Sequence, residues 1–159
     1  ALPGVHICTL EVDPVHVIIA RNIIAYAGLT HQIDVWTGHS QDLLPRLALQ
    51  RGDAGPWIRA VFMDQRGSRY EEDLELLERH GMLRTGSAVV ADNVLKPGAP
   101  LFLWRVLKDP DIATDIVRVR EFAMPAEDWL SVSVLHRPAG PAAAARPLLS
   151  EPPSELLEV

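Results

Sequence analysis

The sequence predicts an α/β fold: a mostly parallel sheet with helices on both faces, ending in an antiparallel pair of strands at one edge. Three observations point there. Short apolar runs alternate with helix-period segments, strand then helix, the order that builds parallel sheets. The run Ala88-Val89-Val90-Ala91 lies between Gly86-Ser87 and Pro97-Gly98 and reads as a central strand rather than a short helix. Two late runs, residues 116–122 and 129–135, follow one another with no helical spacer, and both alternate, as in Ile116-Val117-Arg118-Val119-Arg120.

In order, residues 5–10 form a strand ending in Glu11, and Pro14 opens a helix over 15–26 that Gly28 closes. Residues 32–37 are a short strand. Ser40 is a cap for a helix over 41–50, with Pro45 placed in its first turn. The strand 59–63 ends in Asp64, and residues 65–69 are a loop. An acidic amphipathic helix covers 70–80, with Leu74, Leu76, Leu77 and Leu83 as its apolar positions and Gly81 as its stop. The strand 88–91 ends in Asp92-Asn93, and residues 99–106 form a helix. From Arg137 onward the chain is rich in Pro and Ala, so 1–138 reads as the domain and 139–159 as a tail.

Composition narrows the function. The 159 residues make one domain or part of one, since domains commonly hold about 100–150 residues. With 48% hydrophobic residues the chain can bury a core, and its net charge of −6 argues against a nucleic-acid surface. No apolar run reaches the roughly 20 residues of a membrane span. The single cysteine, Cys8, forms no internal disulfide, suits a reducing compartment, and reads as a buried small hydrophobe. The six histidines show no ligand spacing, and His39 is a loop residue. Trp36, Trp57, Trp104 and Trp129 read as core or interface residues rather than a stacking platform for bases. The chain has no initiator Met, which leads to the expectation that it is processed, truncated or cut from a longer product.

The candidate chemistry lies at strand ends. Two neighbouring parallel strands ending in Asp64 and in Asp92-Asn93 would gather two carboxylates and a carboxamide where open α/β sheets bind ligands. These are hard oxygen donors suited to a divalent cation. Asp92-Asn93 reads equally well as a turn or a helix cap.

Six stretches, in order and at matching spacing, resemble the catechol O-methyltransferase family and its transmembrane-type relatives. They are LEVDP at 10–14, AGL at 27–29, GHSQDLLPRL at 38–47, VFMD at 61–64, LLERHGMLRTG at 76–86 and ADNVLKPGAPLFL at 91–103. The resemblance runs from about residue 9 to residue 138. It implies a Rossmann-like methyltransferase sheet, S-adenosylmethionine as cofactor, Mg²⁺, and a small catechol-like substrate. Carried over residue by residue, Glu11 matches the acid on the cofactor ribose, and Ser40 and Gln41 match positions beside the adenine. Asp64, Asp92 and Asn93 match the magnesium ligands. Glu121 matches, after a one-residue shift, the acid that contacts the second hydroxyl.

The sequence also departs from that family. Where the family follows its first metal Asp with His-Trp-Lys, the Lys being general base, this chain has Gln65-Arg66-Gly67. Arginine is almost never deprotonated and does not replace that base, which leaves Lys96 as the nearby amine. The resemblance begins just before the family's second strand. It therefore lacks the amino-terminal helices, the first strand, which is central to the sheet, and the glycine-rich turn. The expectation is that another polypeptide, a larger assembly or a missing amino-terminal piece completes the sheet, and that the Pro/Ala-rich tail lies along a surface. Two functions follow: an S-adenosylmethionine- and Mg²⁺-dependent catechol-type O-methyltransferase, or a degenerate methyltransferase-like structural subunit with no cofactor. Both leave the compartment unnamed, and neither involves nucleic acid.

Overall fold

A computed structural model describes residues 4–52, 55, 57–120, 126–136 and 152–156. Glu121 and nearly all of the tail expected at 139–159 lie outside the described residues. The chain divides into two compact units, Ala1–Gln50 and Arg51–Val159.

In the first unit, β1 (Ile7–Glu11) and β2 (Ile33–Thr37) pair in parallel, with Ile7 opposite Ile33 and Glu11 opposite Thr37. Between them runs α1 (Pro14–Tyr26), and α2 (Ser40–Arg51) follows β2. Helix α1 starts where it does because the Asp13 carboxylate accepts the amides of Val15 (2.7 Å) and His16 (3.4 Å), with Pro14 already set at the helical φ. Such a cap stabilises a helix by about 1 kcal/mol. Gly28, at φ +69°, takes the left-handed conformation that ends it. Arg21 of α1 donates to the Val35 carbonyl at 2.8 Å, tying helix to strand. The buried apolar residues here are Val17, Val35, Leu43 and Leu44.

Helix α2 corrects two expectations. The amides of Asp42 and Leu43 both donate to the His39 carbonyl, so His39 rather than Ser40 holds the cap position. With Ser40 as the first helical residue, Pro45 falls in the second turn. Cys8 is half-buried rather than fully buried.

The second unit contains β3 (Ile58–Met63), α3 (Tyr70–Arg79), β4 (Leu83–Ala91), α4 (Pro100–Lys108), β5 (Ile112–Arg120) and β6 (Glu127–Leu135). Its sheet has the order β3-β4-β6-β5. Strands β3 and β4 are parallel, while β6 is antiparallel to both β4 and β5. The two late strands thus form the expected antiparallel pair, with β5 at the edge. Every expected strand and helix is present among the described residues, in the expected order.

Strand β4 starts earlier than its apolar run suggests. Between the pairs Ile58↔Leu83 and Ala60↔Ala88, β4 carries extra residues as a bulge. Gly86 adopts φ +82° there, and Ser87 closes it by accepting the Arg84 amide (2.9 Å) and donating to the Ile58 carbonyl (2.6 Å). Leu83 is therefore a strand residue, not part of the apolar face of α3. That face is Leu74 and Leu77, both buried; full burial of one such side chain is worth about 1.5–3 kcal/mol. Beside Leu74 on the same helix face, Glu71 and Glu78 both pair with Arg105 of α4. Val89, Phe102 and Val106 complete the centre of this core.

Among the described residues β1 pairs only with β2, and β3 only with β4. Phe62 on β3 is 62% exposed.

Candidate functional site

Parallel pairing of β3 and β4 aligns Met63 with Ala91, and the Asp92 amide extends the ladder by donating to the Met63 carbonyl at 2.9 Å. Asp64 and Asp92 are therefore the first residues beyond two paired strands, at the same end. Each strand ends in an apolar run, Val61-Phe62-Met63 and Val89-Val90-Ala91, and becomes polar at the point where the chain leaves it. Asp64 is exposed, whereas Asp92 and Asn93 are partly buried.

Asn93 has φ 53° and ψ 34°, the only non-glycine residue with positive φ among those described. Asparagine tolerates this conformation better than most residues, and such strain is concentrated at functional sites. Its amide donates to Asp92 Oδ1 at 2.8 Å, and its side-chain Nδ2 donates to Asp128 Oδ2 at 2.9 Å. Tyr70, buried at the start of α3, donates its hydroxyl to the Asp92 carbonyl at 3.0 Å and meets Phe102 edge-on. The strand end is thus held from below by a helix and from the side by β6.

Charge accumulates here. Loss of water raises the Asp64 carboxyl above its ordinary value, and the Asp92 charge raises it further. The Tyr70 hydroxyl is also raised, first by burial and then by Asp64, Asp92 and Asp128 together. Burial alone would raise Asp128 too, yet the donors Asn93, Trp129, Lys96 and Leu95 outweigh it and the carboxyl is lowered. Two carboxylates and a carboxamide oxygen suit a small hard cation, which commonly takes one or two protein carboxylates. Among the described residues no group of three or more His, Cys, Asp or Glu could hold a metal ion.

Lys96 lies in the turn Val94–Gly98 between β4 and α4; its side chain is exposed and its amide donates to Asp128. Gly67, where the resemblance placed a general-base lysine, is buried, and a Cβ there would sit 2.1 Å from the Gly98 carbonyl oxygen. Position 67 in this conformation admits no side chain. Gln65 donates to Asp73 on α3 at 2.7 Å.

In the first unit, Glu11 ends β1, while Gly38 and His39 connect β2 to the start of α2 at Ser40 and Gln41. These three residues share the carboxyl end of the β1–β2 pair. The Glu11 carboxylate accepts the Asp13 amide at 2.8 Å and lies 3.6 Å from His16 Nδ1. A shallow cavity of about 440 Å³ in this unit is lined by Arg21, Trp36, Leu43 and Arg46 among others, and not by Glu11, Ser40 or Gln41.

Two residues of the second-unit cluster escape a reading of the sequence, Tyr70 and Asp128. Asp128 is out of phase with the buried Ser131, Ser133 and Leu135 of its own strand, so alternation gives no sign of its burial.

No protein-family model matches the chain. Curated relatives do. The chain is 40% identical to a catechol O-methyltransferase of Bos taurus over 102 residues, 64% of this chain and 37% of that protein. It is 34% identical to catechol O-methyltransferase B of Danio rerio over 132 residues, 83% of this chain and 49% of that protein. The chain thus spans half or less of these relatives' length. Among solved structures, an O-methyltransferase from Bacillus cereus in complex with SAH superposes with a TM-score of 0.70 at 20% identity, covering 82% of this chain and 62% of that one. The fold is the Rossmann-like methyltransferase fold, and the six motif stretches mark a homology with the catechol O-methyltransferases.

Proposed function

We propose that this homologue of the catechol O-methyltransferases takes part in S-adenosylmethionine- and Mg²⁺-dependent methyl transfer to a catechol-type hydroxyl. The observation that carries the reading is the pairing of Met63 with Ala91, which sets Asp64 and Asp92 at adjacent strand ends, where the Asp92 charge acts on Asp64. A bound Mg²⁺ would supply Lewis acidity, lowering the pKa of a coordinated hydroxyl. Asp64, Asp92 and the Asn93 carboxamide would hold it. Tyr70 fixes the backbone of Asp92, so that this carboxylate is placed before any ligand arrives. In the first unit, Glu11 is the residue proposed for the ribose hydroxyls, with Ser40 and Gln41 beside the base. The carboxylate oxygens of Glu11 are acceptors and match hydroxyl donors. Glu121 is the proposed contact to the second substrate hydroxyl.

A second reading, a degenerate methyltransferase-like subunit of an assembly, is favoured by one specific observation. The position of the relatives' base is occupied by Gly67 packed on the Gly98 carbonyl, and Lys96 is turned to solvent. Calorimetric titration of S-adenosylmethionine into natively purified protein, with and without Mg²⁺, separates the two. Saturation near one cofactor per chain is expected for the enzyme. Absence of heat from folded material would leave the structural role. For the enzyme, Asp64→Ala and Asp92→Ala each abolish Mg²⁺-dependent turnover; unchanged turnover in either would refute the cation site.

A further inference from the structure

Asp128, the second residue of β6, is 1% exposed and uses both carboxylate oxygens. Oδ2 accepts Asn93 Nδ2 at 2.9 Å. Oδ1 accepts the backbone amides of Leu95 (3.2 Å), Lys96 (3.1 Å) and Trp129 (2.7 Å). Apart from the neighbouring Trp129, these donors lie 32 to 35 residues away in the chain, so their meeting is a product of the β4–β6 pairing. Burying a carboxylate is costly unless donors surround it, and here four do.

The chemistry of the contact has a direction. An ionised carboxylate only accepts, and a carboxamide has one donating end and one accepting end. With Nδ2 committed to Asp128, the accepting oxygen of Asn93 is turned away from Asp128. The amides of residues 95 and 96 are pinned by the same carboxylate, which braces the turn just after the left-handed Asn93.

We propose that Asp128 is a positioning residue for the cation site: it orients the Asn93 carboxamide so that an incoming cation meets oxygen rather than NH₂. This rests on the cation reading above. Without the carboxylate, the amide of Asn93 turns over and offers a donor to a group that needs an acceptor. Outer partners of metal ligands commonly contribute ten- to hundredfold in metal affinity.

Mn²⁺ binding to the whole chain, followed by electron paramagnetic resonance with no substrate or cofactor, tests it. Asp128→Asn should weaken Mn²⁺ ten- to hundredfold, because two NH₂ groups then face each other and Asn93 flips. Adding Asn93→Asp to Asp128→Asn should recover most of the affinity, since a carboxylate at 93 has no wrong end. If wild type binds Mn²⁺ and Asp128→Asn binds it equally well, the role of Asp128 is overturned while the cation site stands. If wild type binds no Mn²⁺, the cation reading fails and the proposal with it. Failure of the double variant to recover what Asp128→Asn loses overturns the orientation argument. Should Asp128→Asn not fold, the Asn93 NH₂ signal of ¹⁵N-labelled wild type decides: slow exchange with water supports the bond, and exchange as fast as in free asparagine overturns it.

Discussion

Cys8 illustrates how one residue's neighbours set its chemistry. It lies opposite Asp34 in the β1–β2 register, and its thiol is pushed up to about 11, first by loss of water and then by the Asp34 charge. The thiolate is the reactive form, so alkylation by iodoacetamide at pH 8 is expected to be far slower than for free cysteine. A rate equal to that of free cysteine would contradict the placement. The sign for stability follows. A thiol at 9.0 in the unfolded chain and about 11 in the fold favours folding below pH 9, and that contribution is lost as pH rises through 11. Cys8→Ala should therefore flatten the fall in melting temperature between those two values.

Between elements, the loop after β3 comes close to the turn after β4. The atom that any larger residue would add at Gly67 meets the Gly98 carbonyl at 2.1 Å, and backbone cannot swing aside as a side-chain tip does. Gly67→Ala is expected to destabilise by about 1–3 kcal/mol, read from the midpoint of a urea melt. Wild-type stability in this variant would mean that the two loops stand further apart. Gly67 was legible in the sequence as part of a loop, but its contact with a residue 31 positions on was not, because neither loop has a periodicity that records its partner. The same holds for β4. Its first half contains Arg84, Thr85 and Gly86, which read as a break, and only the pairing with β3 and the Ser87 hydrogen bonds make it strand.

At the scale of the molecule, the two units differ in how much they bury. The first has Val17, Val35, Leu43 and Leu44, while α1 leaves Val15, Ile18, Ile19 and Ile23 exposed. The second holds most of the buried side chains. Amides of the first unit are therefore expected to exchange with solvent faster than those of β4 and β6, as hydrogen-exchange mass spectrometry would record. Strands β1 and β3 each leave one edge unpaired among the described residues, and exposed strand edges accept further strands. A strand from another polypeptide or another segment is the proposed completion. A purified monomer that melts in one cooperative step, with uniform protection across both units, would overturn both statements.

What the sequence determined by itself is local and periodic. Apolar runs, alternation, helix spacing and Pro/Gly punctuation marked the strands and α-helices, the acids at strand ends marked Asp64 and Asp92, and six motif stretches marked the relatives. Each of these signals is carried by residues close together in the chain. The tertiary structure alone decided the register of the strands, that Tyr70 holds the Asp92 backbone, that Gly67 sits against Gly98, and that Asp128 holds Asn93. Such contacts join residues far apart in sequence. They arise only when strand register and burial bring donors to acceptors that no local pattern names.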